Sequence, residues 1–322
     1  MKRALVLGAG GFIGSHMASR LKSEGYHVIG VDLKLPEFSK TSADIFIIGD
    51  LRDPLFVSRV FDDFDLVVQF AADMGGAEYI FTGENDANVM HNSALINLNV
   101  ANEAIKHKTG CLLYSSSACI YPQQIQEDPN NIGLKEDQAY PANPDSEYGY
   151  EKLFSERLYD AYRRNYGLNI RIVRFHNVFG EEGTWQGNKA KAPAALCRKV
   201  CETEDSGFVD VLGDGKQTRS FIYIDEAIEG CIRLINSNYY YPVNIGSNEI
   251  ISIGAFIRMI LDISGKHHIK VRNFNSNAVG VRGRNSDNSL IFEKLGWKPT
   301  QPLRDGMEKL YSWINQQVNG RN

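Results

Sequence analysis

Tyr148 and Lys152 stand four residues apart in Tyr148-Gly149-Tyr150-Glu151-Lys152. On a helix that spacing puts both side chains on one face. An ammonium beside a phenol favours the phenolate and draws its pKa down, which makes Tyr148 a usable general base for an alcohol hydroxyl. Taken alone, the pair reads equally as a packing tyrosine beside a solvated lysine. The neighbouring chemistry distinguishes it: Ser115-Ser116-Ser117 ends an apolar run, where Ser117 can hydrogen-bond the same substrate oxygen as Tyr148 and pass its proton.

A second centre lies at the start of the chain. In Gly8-Ala9-Gly10-Gly11-Phe12-Ile13-Gly14 the glycines Gly8, Gly11 and Gly14 recur at every third position. One permits a tight turn, one lets backbone approach a pyrophosphate, and one allows close helix packing. The helix opening at Phe12 and Ile13 offers free N–H groups and the positive end of its dipole to phosphates. Asp32 ends the second apolar run, where its carboxylate accepts from ribose hydroxyls and repels a 2′-phosphate, favouring NAD over NADP; Lys34 leaves some ambiguity. Asp50-Leu51 follows the third run and either contacts adenine or, through Asp50, caps the helix starting near Pro54. Ala71-Ala72 is small enough for backbone to lie against the cofactor.

These groups need a frame. Apolar runs rich in Val, Ile and Leu alternate with amphipathic stretches at Ala4–Gly8, His27–Asp32, Ile45–Gly49, Leu66–Ala71, Cys111–Ser115 and Ile170–Phe175. That alternation predicts βαβ units around a buried parallel sheet. The expected class is α/β, a doubly wound Rossmann sheet with a smaller α/β C-terminal substrate-binding lobe. The dinucleotide domain is expected over 1–175 with a return near 217–240, and the substrate lobe over 176–216 and 241–322. Helices are expected at Pro193–Thr203, Ile253–Ser264 and Leu303–Gln317, and the polar stretch Gln123–Asn131 is expected to be a peripheral loop.

Bulk composition excludes several classes. With 322 residues, 43% hydrophobic and 23% charged, the chain can bury a large core. A net charge of -4 and a pI near 6.0 argue against a general nucleic-acid binder, although not against a local phosphate-binding cluster. Glycines break the apolar run after Met1-Lys2-Arg3, so it reads as a first strand rather than a signal peptide, and no run is long enough for a membrane span. Cys111, Cys119, Cys197, Cys201 and Cys231 lack paired metal spacing, so no metal is expected; an odd number of thiols suits a reducing cytoplasm. Cys197 and Cys201, one turn apart, are expected to face a core.

The glycine loop, the serine run and Tyr148-x-x-x-Lys152 together resemble the extended short-chain dehydrogenase/reductase superfamily of sugar-nucleotide epimerases and dehydratases, over nearly the whole chain. Five segments resemble, more narrowly, the GDP-mannose 3,5-epimerase family: Ala71-Ala72-Asp73-Met74-Gly75-Gly76, Ser116–Pro122, Lys191–Ala195, Gly213–Phe221 and Val281–Asn288. That resemblance implies NAD as cofactor and a GDP-sugar as substrate, with Cys119 and Lys191 as the proton-transfer pair. Transient oxidation at C4 would acidify the hydrogens at C3 and C5, and inversion needs a base and an acid on opposite faces. Arg219 and Arg282 are the expected pyrophosphate clamps, with Arg284 and Lys199 as further cations. Gly75, Gly76, Asn177 and Gln217 are expected around the substrate, and Trp185 packs over it or in the core. Relatives imply a homodimer through helices near Asn85–His107 and Glu147–Tyr166. Ala77–Glu84 departs from the family pattern, which leaves hexose or heptose open. Alternatives are another nucleotide-sugar epimerase, a 4,6-dehydratase, or a non-catalytic NAD sensor; Ala118-Cys119 stands where a dehydratase usually carries Asp-Glu.

Overall fold

A computed structural model describes residues 1–130, 133–274 and 280–320. The first apolar run becomes β1 (Arg3–Leu7), in which Ala4, Leu5, Val6 and Leu7 are fully buried. The chain turns through the glycine loop into α1 (Phe12–Ser23), stops at Gly25 with φ +83°, and continues through β2 (His27–Asp32), β3 (Ile45–Ile48), α2 (Pro54–Val60) and β4 (Leu66–Gln69). Next come α3 (Ala77–Phe81), α4 (Asp86–Lys106), β5 (Leu112–Ser117), α5 (Glu147–Tyr166) and β6 (Ile170–Phe175). β5 extends to Ser117, two residues beyond the expected end, because Ser116 and Ser117 pair in parallel with Arg174 and Phe175.

Alternation along the strands divides the interior in two. Ala4, Val6, Val28, Leu66, Val68 and Leu113 point to one core, whereas Leu5, Leu7, Ile29, Val31, Val67 and Leu112 point to the other. Side chains on successive strand residues face opposite sides, so helices must cover both faces. Each fully buried aliphatic side chain contributes about 1.5–3 kcal/mol. Among the described residues seven strands form the parallel sheet, in the order β3-β2-β1-β4-β5-β6 followed by a strand from the second half of the chain. Winding reverses between β1 and β4, and the crevice beyond their carboxyl ends is where such sheets bind ligands.

The second half comprises β7 (Val178–Phe179), α6 (Ala192–Glu202), β8 (Phe208–Leu212), β9 (Thr218–Ser220), β10 (Ile222–Tyr223), α7 (Ile224–Ile235) and β11 (Val243–Ile245). It ends with β12 (Ile250–Ser252), α8 (Ile253–Ser264), β13 (Lys270–Phe274), β14 (Gly283–Arg284), α9 (Ser289–Leu295) and α10 (Leu303–Asn319). α7 packs on α1 and β6. β11 then completes the sheet, pairing Val243 with Val173 and Ile245 with Phe175. Val243–Ile245 thus lies in the central sheet, since the outer edge of β6 needs backbone partners and this strand is entirely buried.

The second lobe is built on α6, α8 and α10, which pack against one another. β8 pairs with β13, and β9 is flanked by β12 and β14. Cys197 is fully buried, as its helical position implied, whereas Cys201 is half-buried. Trp185 takes the core alternative, at 1% exposure. The stretch from Gln123 is largely exposed, at Gln123, Gln124, Glu127, Asp128 and Asn130, but it begins with a helical turn at Gln123–Gln126 whose last residue is completely buried, while Asn131 lies outside the described residues. Among the described residues no helix is long and apolar enough to cross a membrane.

Candidate active site

The three spaced glycines have different physical duties. Gly8 has φ +88°, and a Cβ there would lie 2.7 Å from the backbone nitrogen of Ala71 at the end of β4. A Cβ on Gly14 would lie 2.0 Å from the Gly8 carbonyl oxygen, so α1 needs glycine to approach β1. Gly11 differs: its nearest neighbour would be 3.4 Å away, which the protein's own packing tolerates. Its glycine leaves room on the open side, at the N-cap of α1. That terminus has no side-chain cap and no acidic residue in its first turn, so the N–H groups at Phe12 and Ile13 suit an anion. Gly10, unnoticed in the spacing, is as constrained, because a Cβ would sit 2.0 Å from the Lys34 carbonyl oxygen.

Asp32 ends β2 and accepts from the backbone N–H of Gly10 at 2.9 Å, which ties the ribose-binding candidate to the phosphate loop. Lys34 pairs with Glu37 at 3.3 Å instead of facing Asp32. The capping alternative for Asp50 is corrected: Asp53 caps α2, accepting from the N–H of Leu55, while Asp50 forks with Arg52. Leu51 is buried, and Ala71 and Ala72 are half-buried beside the loop. Together, the unobstructed Gly11, the uncapped helix and the carboxylate at the end of β2 fit a dinucleotide.

At the reactive end, the serines of β5 each engage α5. The Lys152 ammonium donates to the Ser115 carbonyl at 2.9 Å, Ser116 donates to Glu156 at 2.5 Å, and Ser117 hydrogen-bonds Tyr148. Ser117 also accepts from the Cys119 N–H at 3.2 Å, so one serine orients both the phenol and the thiol loop. α5 starts at the Ser146 cap and buries Tyr148, Glu151, Lys152, Ser155 and Glu156 on one face. Gly149 makes the contact possible: a Cβ there would lie 2.2 Å from the Cys119 carbonyl oxygen.

The expected depression of Tyr148 by Lys152 is not what the site produces. Burial pushes the phenol well up, the nearby Cys119 sulfur adds to that, and only the Ser117 hydrogen bond and the more distant Arg284 oppose it. Lys152 lies 5.7 Å from the Tyr148 ring centroid, and burial lowers its own ammonium against the pull of Glu151 and Glu156. Spacing correctly predicted the shared face, yet a dry surrounding outweighs one cation whose donor is committed to a carbonyl.

Cys119 lies half-buried in the turn after β5, and Tyr148, Lys152, Lys191, Arg219 and Arg284 all have it as an electrostatic neighbour. Those residues come from α5, the start of α6, β9 and β14, so a sulfur from the first domain meets cations from both lobes. Lys191 is the N-cap residue of α6; burial lowers its ammonium and Cys119 opposes this. Gly76 admits the preceding loop, for a Cβ would stand 2.5 Å from the Ala190 carbonyl oxygen. Gly75 packs against Tyr79. Tyr79, in the departing segment, donates to Asp73 at 2.8 Å and lies 4.5 Å beneath the Lys189 ammonium; burial and Asp73 push its phenol up to about 12.

The expected cations separate. Arg219 is half-buried, and burial first and Arg284 second pull its guanidinium down to about 10, against the attraction of Asp145 and Cys119. A cation under that stress gains from an anionic ligand. Arg282 forks with Asp214 at the surface, at 3.0 and 3.1 Å. Lys199 donates to the Asp210 carbonyl at 2.9 Å. Gln217 donates to the Leu212 carbonyl at 2.8 Å and keeps a buried Oε1 with no hydrogen-bond partner among the described residues. Asn177, at φ +44°, donates to the Ser220 carbonyl. Arg284, expected as a further cation, donates to the Cys119 sulfur at 3.0 Å. Sequence reasoning missed this contact, along with Gln126 and Asp145, because Arg284 and Cys119 are 165 residues apart.

The family described as "NAD dependent epimerase/dehydratase family" matches residues 4–254. The chain is 44% identical over 319 residues to "GDP-mannose 3,5-epimerase" of Arabidopsis thaliana, covering 97% of this chain and 82% of that relative. It is also 44% identical over 324 residues to "GDP-mannose 3,5-epimerase 1" of Oryza sativa subsp. japonica, with 98% and 82% covered. A Bacillus cereus UDP-glucuronic acid 4-epimerase, solved with UDP-glucuronic acid and NAD, matches at TM-score 0.84 and 27% identity over 98% of this chain and 99% of that one. The UDP-glucose 4-epimerase of Thermotoga maritima, at TM-score 0.88 and 24% identity over 98% and 99%, shares the fold. The chain belongs to the NAD-dependent epimerase/dehydratase family and, within it, groups with the GDP-mannose 3,5-epimerases.

Proposed function

We propose that the protein epimerises a GDP-sugar, with GDP-mannose as substrate and C3 and C5 as the inverted carbons. The observation that carries the proposal is that Cys119 packs in one cluster with Tyr148 and is close enough to Lys191 to oppose the lowering of its ammonium, which brings a phenol, a thiol and an amine near one another. NAD, when bound, supplies the hydride acceptor and donor for C4 and brings a positive charge into the site. Gly8, Gly11, Phe12, Ile13 and Gly14 would hold its pyrophosphate, Asp32 its adenosine ribose, and Leu51 with Ala71 and Ala72 its adenine side. Tyr148 takes the proton of the C4 hydroxyl and returns it, while Ser117 hydrogen-bonds the same oxygen. Lys152, fixed on the Ser115 carbonyl, keeps a cation beside the phenol ring.

With C4 at the ketone level, the hydrogens on C3 and C5 become acidic. Cys119 and Lys191 then remove and deliver the proton on the two faces of the ring. Lowering of the Lys191 ammonium brings it nearer to the working pH, which suits a group that must both give and accept. Arg219 meets the pyrophosphate of the nucleotide sugar, and Arg282 joins it after exchanging Asp214. Gly75, Gly76, Asn177 and Gln217 border the sugar. Five free thiols fit a cytoplasmic location. A homodimer forms through α4 and α5, which pack side by side and leave Leu98, Tyr150 and Phe154 exposed.

Incubation with GDP-mannose in deuterated water tests the reading: deuterium enters C3 and C5. Cys119→Ala loses exchange by about 10²- to 10⁴-fold and keeps transient NADH formation. Absence of exchange with every GDP-sugar tried removes the epimerase reading, and full exchange in Cys119→Ala removes the thiol from it.

A further inference from the structure

Arg284 is 5% exposed and uses its guanidinium on three segments of the first domain at once. Nε donates to Gln126 Oε1 at 2.6 Å, Nη2 to Asp145 Oδ2 at 2.8 Å, and Nη1 to the Cys119 sulfur at 3.0 Å. Its backbone belongs to the other lobe, because β14 pairs with β9, where Arg284 stands opposite Arg219. Gln126 is completely buried and donates in turn to the Tyr121 and Pro122 carbonyls, just beyond the thiol turn. Asp145 directly precedes the Ser146 cap of α5, which carries Tyr148. Gly283, next to Arg284, leaves no space for a side chain: a Cβ would lie 2.0 Å from the Asp128 carbonyl oxygen. β14 is therefore locked against the segment that follows Gln126.

Two of the three donor directions are occupied by groups that only hold the guanidinium still. The third points at the one sulfur proposed to move a proton. A hydrogen bond from a cation is strongest to an anionic acceptor, and a planar guanidinium fixes the direction of that acceptor as well. We infer that Arg284 is a positioning residue for Cys119, held by Asp145 and Gln126 so that the substrate lobe itself aims the sulfur. This rests on the reading of Cys119 as a proton-transfer group. It also gives lobe packing a chemical consequence: the strand that carries Arg219 towards the substrate is bonded to the strand that orients the thiol.

The test separates the hold on sulfur from the reaction. Arg284→Met alone leaves the buried Asp145 carboxylate without its partner, and Oδ1 of Asp145 already has no hydrogen-bond partner among the described residues. Such a variant risks failing to fold. The double variant Asp145→Asn/Arg284→Met removes both charges, and Arg284→Lys keeps a cation without the fork. The first readout is alkylation of Cys119 by iodoacetamide at neutral pH, followed on its peptide by mass spectrometry without nucleotide sugar. We expect the double variant to alkylate about tenfold more slowly than the native protein, with Arg284→Lys in between, since the sulfur then loses the donor that fixes its direction.

The second readout uses holoenzyme and GDP-mannose. Deuterium exchange at C3 and C5 falls about tenfold or more in the double variant, while transient NADH formation and KM change less than about threefold. Loss of C4 oxidation and exchange together would mark a merely structural residue and overturn the inference. Equal alkylation rates in folded native and double-variant protein would overturn it too. Slower alkylation, in a protein whose native form exchanges no deuterium with any GDP-sugar, would support the hold on sulfur and remove the epimerase reading instead.

Discussion

Lys191 shows how far a residue's chemistry departs from its type. In water a lysine is a poor proton shuttle near neutrality, but burial at the start of α6 lowers this ammonium, and Cys119 only partly opposes the shift. The sign sets a pH dependence. Below the lowered value the ammonium is present, and above it the side chain is a neutral amine that no longer donates. The alkaline limb of deuterium exchange is thus expected below the usual lysine range. Lys191→Arg, whose guanidinium stays charged throughout, should exchange slowly but lose that limb. An unchanged limb in Lys191→Arg, measured as exchange rate against pH, would assign it to another group. Tyr148 carries the complementary lesson: position four before Lys152 predicts a shared face, whereas the direction of its shift depends on burial, which spacing does not report.

At the scale of elements, the glycine loop separates folding from binding within seven residues. Gly14 serves the fold, because α1 must pass close to the Gly8 carbonyl, whereas Gly11 faces open space. Gly14→Ala should lower the stability of the cofactor-free protein by about 1–3 kcal/mol through overpacking. Gly11→Ala should leave it within about 0.5 kcal/mol. Adding NAD at one hundred times its dissociation constant raises native stability by about 2.7 kcal/mol, and at the same concentration Gly11→Ala gains less. Thermal melts of the three proteins with and without NAD decide this, and native-like stabilisation of Gly11→Ala by NAD would refute it. β5 and α5 form another such unit: three consecutive serines reach three residues of one helix, and Gly149 lets that helix touch the thiol turn. The Tyr-x-x-x-Lys pattern was legible in sequence, but the need for glycine at 149 was not, because the Cys119 carbonyl that meets it lies 30 residues away.

At the scale of the whole molecule, the proposed site would be shared by two lobes, because the chain returns to the central sheet after leaving it. α7 and β11 return to the sheet after β8–β10 have begun the second lobe, so the lobes are interleaved and not strung along the sequence. The outer face of α4 and α5 leaves Leu98 at 37% and Phe154 at 46% exposure, which is costly for large apolar side chains unless a second copy covers them. Sedimentation of the native protein at micromolar concentration should give a dimer, and Leu98→Glu/Phe154→Glu should give a folded monomer. A native monomer would overturn the dimer proposal.

Local patterns were enough to specify the parallel sheet, the dinucleotide loop and the Tyr148–Lys152 face. Each depends on periodicity, turn chemistry or spacing over fewer than about twenty residues. Resemblance added Cys119 and Lys191. Only the tertiary structure decided that Asp53 caps α2, that Trp185 belongs to the core, that β11 closes the sheet, and that Arg284 grips the thiol. Those outcomes depend on which distant segments displace water from one another. A guanidinium's partner is set by the burial and geometry of that meeting, and linear sequence does not encode either one locally.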